Sequence, residues 1–141
     1  MNVLFLDVDG VIRNHTDKGF SQEKVNNLVR ILRETKCKIV LSSGWRLPTL
    51  AQTSSSNFGR ILREMDFGLY VLNSVIDVTP EGYSRAEEIR TWLQAQSIGN
   101  ITKYAILDDE DVSVPHLFKT EYSTGLTPEI AEAIIKHFNE R

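Results

Sequence analysis

Cysteine is almost absent. Cys37 is the only one among 141 residues, which rules out a disulfide framework and makes a reducing, cytoplasmic setting the expectation. Cys37 opens an apolar strand, so its thiol is read as buried and inert. Long apolar runs are missing too. None approaches the roughly 18 residues a membrane helix needs, and no charged leader with an apolar core and small-residue cleavage site precedes "FLDVDG". Basic residues are in deficit, with 16 Lys and Arg against 19 Asp and Glu and a net charge of −3. That excludes bulk, non-specific attraction to nucleic acid or anionic membranes, while leaving room for a local basic pocket. There is no internal repeat and no long linker. Two Asn-x-Thr triplets, "NHT" and "NIT", carry no weight without a secretory signal.

What remains is ordinary globular composition in a length suited to one domain, residues 1–141, with enough chain to bury about 68% of its unfolded surface. "VLFLDV" (3–8) is an apolar run without alternation, the signature of a strand buried on both faces. Residues 11–20, with Asn14, Asp17 and Gly19, read as a short flap. Ser21 is an N-cap with Glu23 in the first turn, and Val25, Leu28, Val29 and Leu32 mark one face of a helix running to about Thr35. "CKIVLS" (37–42) is a second buried strand. Residues 43–57, with Pro48 and a serine run, read as a loop and broken helix, followed by a short helix around Ile61, Leu62 and Met65. "LYVL" (69–72) reads as a third, peripheral strand and 73–83 as a loop. "SRAEEIRTWLQAQ" (84–96) is a helix capped by Ser84, "KYAILD" (103–108) a buried strand, and "HLFKT" (116–120) an edge strand. "TPEIAEAIIKHF" (127–138) is a helix with proline at its first position. Strands alternating with helices predict an α/β fold: a doubly wound, Rossmann-like, mainly parallel sheet with helices on both faces. Ligands in such sheets sit beyond the carboxyl ends of the strands.

Three strands end in chemistry-bearing residues. The first ends at Asp7 and Asp9, the second at Ser42 and Ser43, the fourth at Asp108 and Asp109, with Asp111 close behind. Several carboxylates gathered at one partly desolvated edge repel one another. A hard divalent cation offsets that cost, and Mg²⁺ prefers a few carboxylates, waters and substrate phosphate oxygens. The Asp-x-Asp spacing lets one carboxylate attack while the other handles a proton. Gly10 allows the backbone to turn sharply and approach a ligand.

These residues, in this order, resemble a known family. "DVDGV" after an apolar run, "VLSS", a basic residue at a helix start and "ILDD" match the four ordered motifs of the haloacid dehalogenase-like (HAD) superfamily of phosphohydrolases. "FLDVDGVI", "IVLSSGWR", "TP" followed by "RAEEIRTWL", "YAILDDED" and "TGLT" are similar to the small HAD domains of multidomain RNA-repair proteins. Those are related to the phosphatase part of polynucleotide kinase-phosphatases. The resemblance spans nearly the whole chain. It implies Asp7 as nucleophile forming an aspartyl-phosphate, and Asp9 as general acid, then base, with its backbone carbonyl on the metal. It implies Ser42, or its rival Ser43, as the hydroxyl on the transferring phosphoryl group, and Arg85 as the cation that neutralises phosphate. Asp108 and Asp109 would hold Mg²⁺. Arg46 is a candidate grip on substrate phosphate.

Structural readings compete at each position. The serines can cap a loop, Arg46 can form a salt bridge, Trp45 can pack in the core, and Arg13 and His15 can be plain surface. Arg85 is a cation in a first helical turn, where the helix dipole favours anions; that mismatch favours a functional role. No space is left for a cap domain, so the site is expected to be open, which suits large substrates such as nucleic acid ends. Two alternatives stand beside a polynucleotide end phosphatase. One is a small-molecule phosphatase (for nucleotides or sugar phosphates) closed by an oligomeric partner. The other is a non-catalytic receiver-like domain phosphorylated on aspartate.

Overall fold

Strand β1 (Asn2–Leu6) is apolar on both sides because both of its faces are covered: Val3, Leu4, Phe5 and Leu6 are all fully buried. It lies at the centre of a five-stranded sheet in the computed structural model, which describes residues 1–14, 16, 19–42 and 57–140. Its neighbours are β2 (Lys38–Leu41) and β4 (Lys103–Asp108), flanked in turn by β3 (Val75–Val78) and β5 (Leu117–Lys119). Every pairing is parallel, in the order β3-β2-β1-β4-β5. The α/β architecture expected from the strand-helix alternation is therefore present.

Alternate side chains of the sheet feed two cores. Leu4, Leu6, Ile39, Leu41 and Leu107 pack under α1 (Gln22–Thr35), α2 (Asn57–Arg63), α3 (Gly68–Ser74) and α5 (Pro128–Asn139). Val3, Phe5, Val40 and Ile106 pack under α4 (Arg85–Gln94) through Ala86, Ile89 and Trp92. Phe5 meets Trp92 and Tyr104 edge-on at 5.5 and 6.0 Å, a geometry worth about 0.5–1.5 kcal/mol per pair beyond burial. The Trp92 indole N–H donates to Asp77 Oδ2 at 2.8 Å, tying α4 to β3. The helices start where hydroxyls cap them: Ser21, Ser84 and Thr127 each accept a backbone N–H in the first turn. Among the described residues no helix is long and apolar enough to cross a membrane.

One expectation is corrected. "LYVL" is not a strand but the middle of helix α3, and the third strand is the following "VIDV", β3, in the stretch read as a loop. Gly68, Val71 and Leu72 are buried while Leu69 and Tyr70 are exposed, a spacing of three and four rather than two. The β-favouring side chains of Tyr70 and Val71 yield to that pattern. Gly68 is required where α3 starts, since a Cβ there would lie 1.6 Å from the Leu62 carbonyl oxygen. At the ends of the segment read as a flap, Val11, Ile12 and Phe20 are buried, and the Leu126 N–H donates to the Val11 carbonyl.

Candidate active site

The parallel register lines up the strand ends. Leu6 is level with Leu41 and with Leu107, and Leu41 with Val78. One step further, Asp7, Ser42, Thr79 and Asp108 fall side by side, about 4.8 Å apart from strand to strand. The ladder bonds continue into this row: Asp7 N–H to Leu107 O at 3.0 Å, Ser42 N–H to Leu6 O at 2.9 Å and Thr79 N–H to Leu41 O at 3.0 Å. By alternation these side chains share the α4 face with Phe5, Val40 and Ile106. All four are buried.

Asp7, Asp108 and Asp109 converge. Each offers a carboxylate oxygen within 4.8 Å of the others. Burial, the negative charge of Asp108 and a hydrogen bond with Asp109 push the Asp7 carboxyl up to about 8, against the pull of Arg85. Burial also raises Asp108, again opposed by Arg85. Arg85 opens α4, and its guanidinium reaches back to Asp108 Oδ2 at 2.5 Å and Asp7 Oδ1 at 3.4 Å. Glu88, one turn on, stands 3.7 Å from Arg85 Nε and accepts the Gly82 N–H at 3.0 Å. A cation against the helix dipole is thus explained by three carboxylates. Burial works against its charge, but Asp108 and Asp7 outweigh that and keep Arg85 firmly protonated.

Asp9 is placed differently. Its carboxylate accepts from Arg13 at 2.7 Å and its side chain is half exposed, so it stands outside the three-carboxylate group. Gly10 has φ +82, and a Cβ there would lie 2.5 Å from the Asp109 carboxyl. The absent side chain is what lets Asp109 approach. The Gly10 carbonyl accepts from the buried Thr120 hydroxyl at 2.6 Å, and Thr120 N–H donates to Asp108 O at 2.9 Å. Asp111 pairs with Lys119 at 3.2 Å, away from the cluster. Ser42 Oγ and Thr79 Oγ1 have no partner among the described residues. Ser43, Trp45, Arg46 and His15 lie outside the described residues.

Glu88, Thr79 and Thr120 belong to this constellation and escape a reading of the sequence alone. Glu88 had a signal, the i,i+3 spacing from Arg85. The two threonines are conspicuous only through register.

The donor set fits a hard divalent cation. Three carboxylates with one arginine leave surplus negative charge in a desolvated place, which is the environment that raises Asp7 and Asp108 and that a cation reverses. Asp7, Asp108 and Asp109 would hold it.

A family model described as "HAD domain in Swiss Army Knife RNA repair proteins" matches residues 3–131. No curated protein and no solved structure matches.

Proposed function

The chain belongs to the family of HAD domains in Swiss Army Knife RNA repair proteins, and from that premise we propose that it is a Mg²⁺-dependent phosphohydrolase. It works through an aspartyl-phosphate on Asp7 and acts on phosphorylated polynucleotide ends. The observation that carries this reading is the meeting of Asp7, Asp108 and Asp109 with Arg85 at the carboxyl edge of the sheet.

Asp7 attacks phosphorus, forming the acyl-phosphate bond as the ester oxygen departs. The departing oxygen takes its proton from Asp9. A water then gives a proton back to Asp9 and attacks phosphorus, so that phosphate leaves and the Asp7 carboxylate returns. Phosphoryl transfer asks mostly for position and positive charge around the equatorial oxygens. Arg85 supplies charge from the side of α4. Mg²⁺ held by Asp7, Asp108 and Asp109 would supply further positive charge and would favour the ionised Asp7. Ser42 presents its hydroxyl one strand away. Asp9 suits proton work because it is more exposed than Asp7 and can exchange with water. The polynucleotide substrate rests on the family's description; the chain's net charge of −3 limits attraction to local contacts.

A receiver-like domain is disfavoured. Receiver sheets run 2-1-3-4-5, whereas this one runs 3-2-1-4-5.

The test is phosphate release from 3′- and 5′-phosphorylated oligonucleotides, mononucleotides and sugar phosphates, with and without Mg²⁺. Metal-dependent turnover that Asp7→Asn abolishes is expected. Turnover no greater than that of Asp7→Asn overturns the reading.

A further inference from the structure

Two buried side-chain oxygens are unpartnered among the described residues, and they are neighbours. Ser42 Oγ and Thr79 Oγ1 sit at the ends of adjacent strands, in the row that contains Asp7. Buried hydroxyls nearly always find a partner, so each exception needs a reason. A reason for Ser42 already exists in the reaction. None yet exists for Thr79, which is 2% exposed.

We propose that Thr79 is a substrate-binding residue whose hydroxyl donates to an oxygen of the substrate beyond the phosphate ester itself. The proposal rests on the phosphohydrolase reading of the row. Strand spacing sets the assignment. Ser42 is one strand from the nucleophile and Thr79 two, about 10 Å at the backbone. A phosphoryl group on Asp7 is narrower than that, so Ser42 meets its oxygens and Thr79 meets what is attached to it.

The hydroxyl is preset. Thr79 N–H is fixed to Leu41 O at 3.0 Å, Pro80 restricts the backbone that follows, and β-branching stiffens χ1. The loop beyond is anchored by Gly82 on Glu88, and β3 is anchored by Asp77 on Trp92. A donor held this way loses little entropy on binding.

Thr79→Val removes the hydroxyl at nearly constant volume, and Thr79→Ser keeps it. KM and kcat are measured with Mg²⁺ on phenyl phosphate and on the best substrate among a phosphorylated oligonucleotide, a mononucleotide and a sugar phosphate. Thr79→Val is expected to raise KM for the larger substrate about tenfold, with kcat changed less than about twofold. Phenyl phosphate, which offers no oxygen beyond its phosphate ester, is unaffected. Thr79→Ser restores KM. The melting temperature of Thr79→Val stays level or rises, because an unsatisfied buried hydroxyl has gone. An unchanged KM, equal losses on both substrates, or a lowered melting temperature overturns the assignment while leaving the phosphohydrolase intact. A wild-type protein with no turnover on any of these overturns both.

Discussion

Asp7→Asn should make the metal-free protein more stable while destroying its activity. The Asp7 carboxyl is almost fully buried beside Asp108, and its titration is pushed from 3.8 to about 8. In the unfolded chain it ionises near pH 4; in the folded chain it keeps its proton until about pH 8. The folded state therefore binds the extra proton across that window, and each step up in pH within it costs stability. At about 1.36 kcal/mol per pH unit, the cost accumulated by pH 7 is at most about 4 kcal/mol. Asp7 shares the burden with Asp108, and Arg85 loses a partner at 3.4 Å in the variant, so about 2 kcal/mol is the expected gain. For a chain of this length that is a rise of roughly 5–10 °C in melting temperature. Thermal unfolding with EDTA at pH 5 and pH 8 measures it. The variant should melt above the wild type at pH 8, with the gap narrowing at pH 5. A variant that melts at or below the wild type at pH 8, or a gap independent of pH, refutes the claim that this carboxylate is strained by its surroundings.

Mg²⁺ should raise the wild-type melting temperature more at pH 8 than at pH 5, because protons compete for Asp7; equal shifts would place the ion elsewhere. Arg85→Ala should lower kcat/KM by about a hundredfold or more and move the acidic limb of the rate profile upward, since Arg85 holds the Asp7 carboxyl down; steady-state rates from pH 5 to 9 check both. Gly10→Ala should cost about 1–2 kcal/mol from the left-handed backbone alone, and should weaken Mg²⁺ binding by displacing Asp109; melting and a Mg²⁺ titration by calorimetry report the two effects.

Much of the sheet was legible because its strands are buried on both faces. "VLFLDV", "CKIVLS" and "KYAILD" are continuous apolar runs that stop at polar residues, and a parallel sheet turns those stops into one edge. Arg85 was legible through its conflict with the helix dipole, which three carboxylates resolve. The region from 68 to 78 was misread because Tyr70 and Val71 have strand-favouring side chains, and only burial shows that positions 68, 71 and 72 share a helical face. Asp9 was read together with Asp7, yet its carboxylate goes to Arg13, a partner four residues on that spacing alone did not single out. Thr79 and Thr120 were invisible for a different reason. A threonine after a short strand is common, and what distinguishes these two is which neighbour the register gives them: Ser42 in one case, the Gly10 carbonyl in the other.

The central step proposed for this protein is covalent and falls on one carboxylate. Turnover quenched in acid, followed by mass spectrometry of the tryptic peptide of residues 1–13, tests it directly. A phosphoryl group on Asp7, formed only with Mg²⁺ and absent from Asp7→Asn, is the predicted result. Steady phosphate release with an unmodified peptide, or a phosphoryl group on another residue, contradicts it.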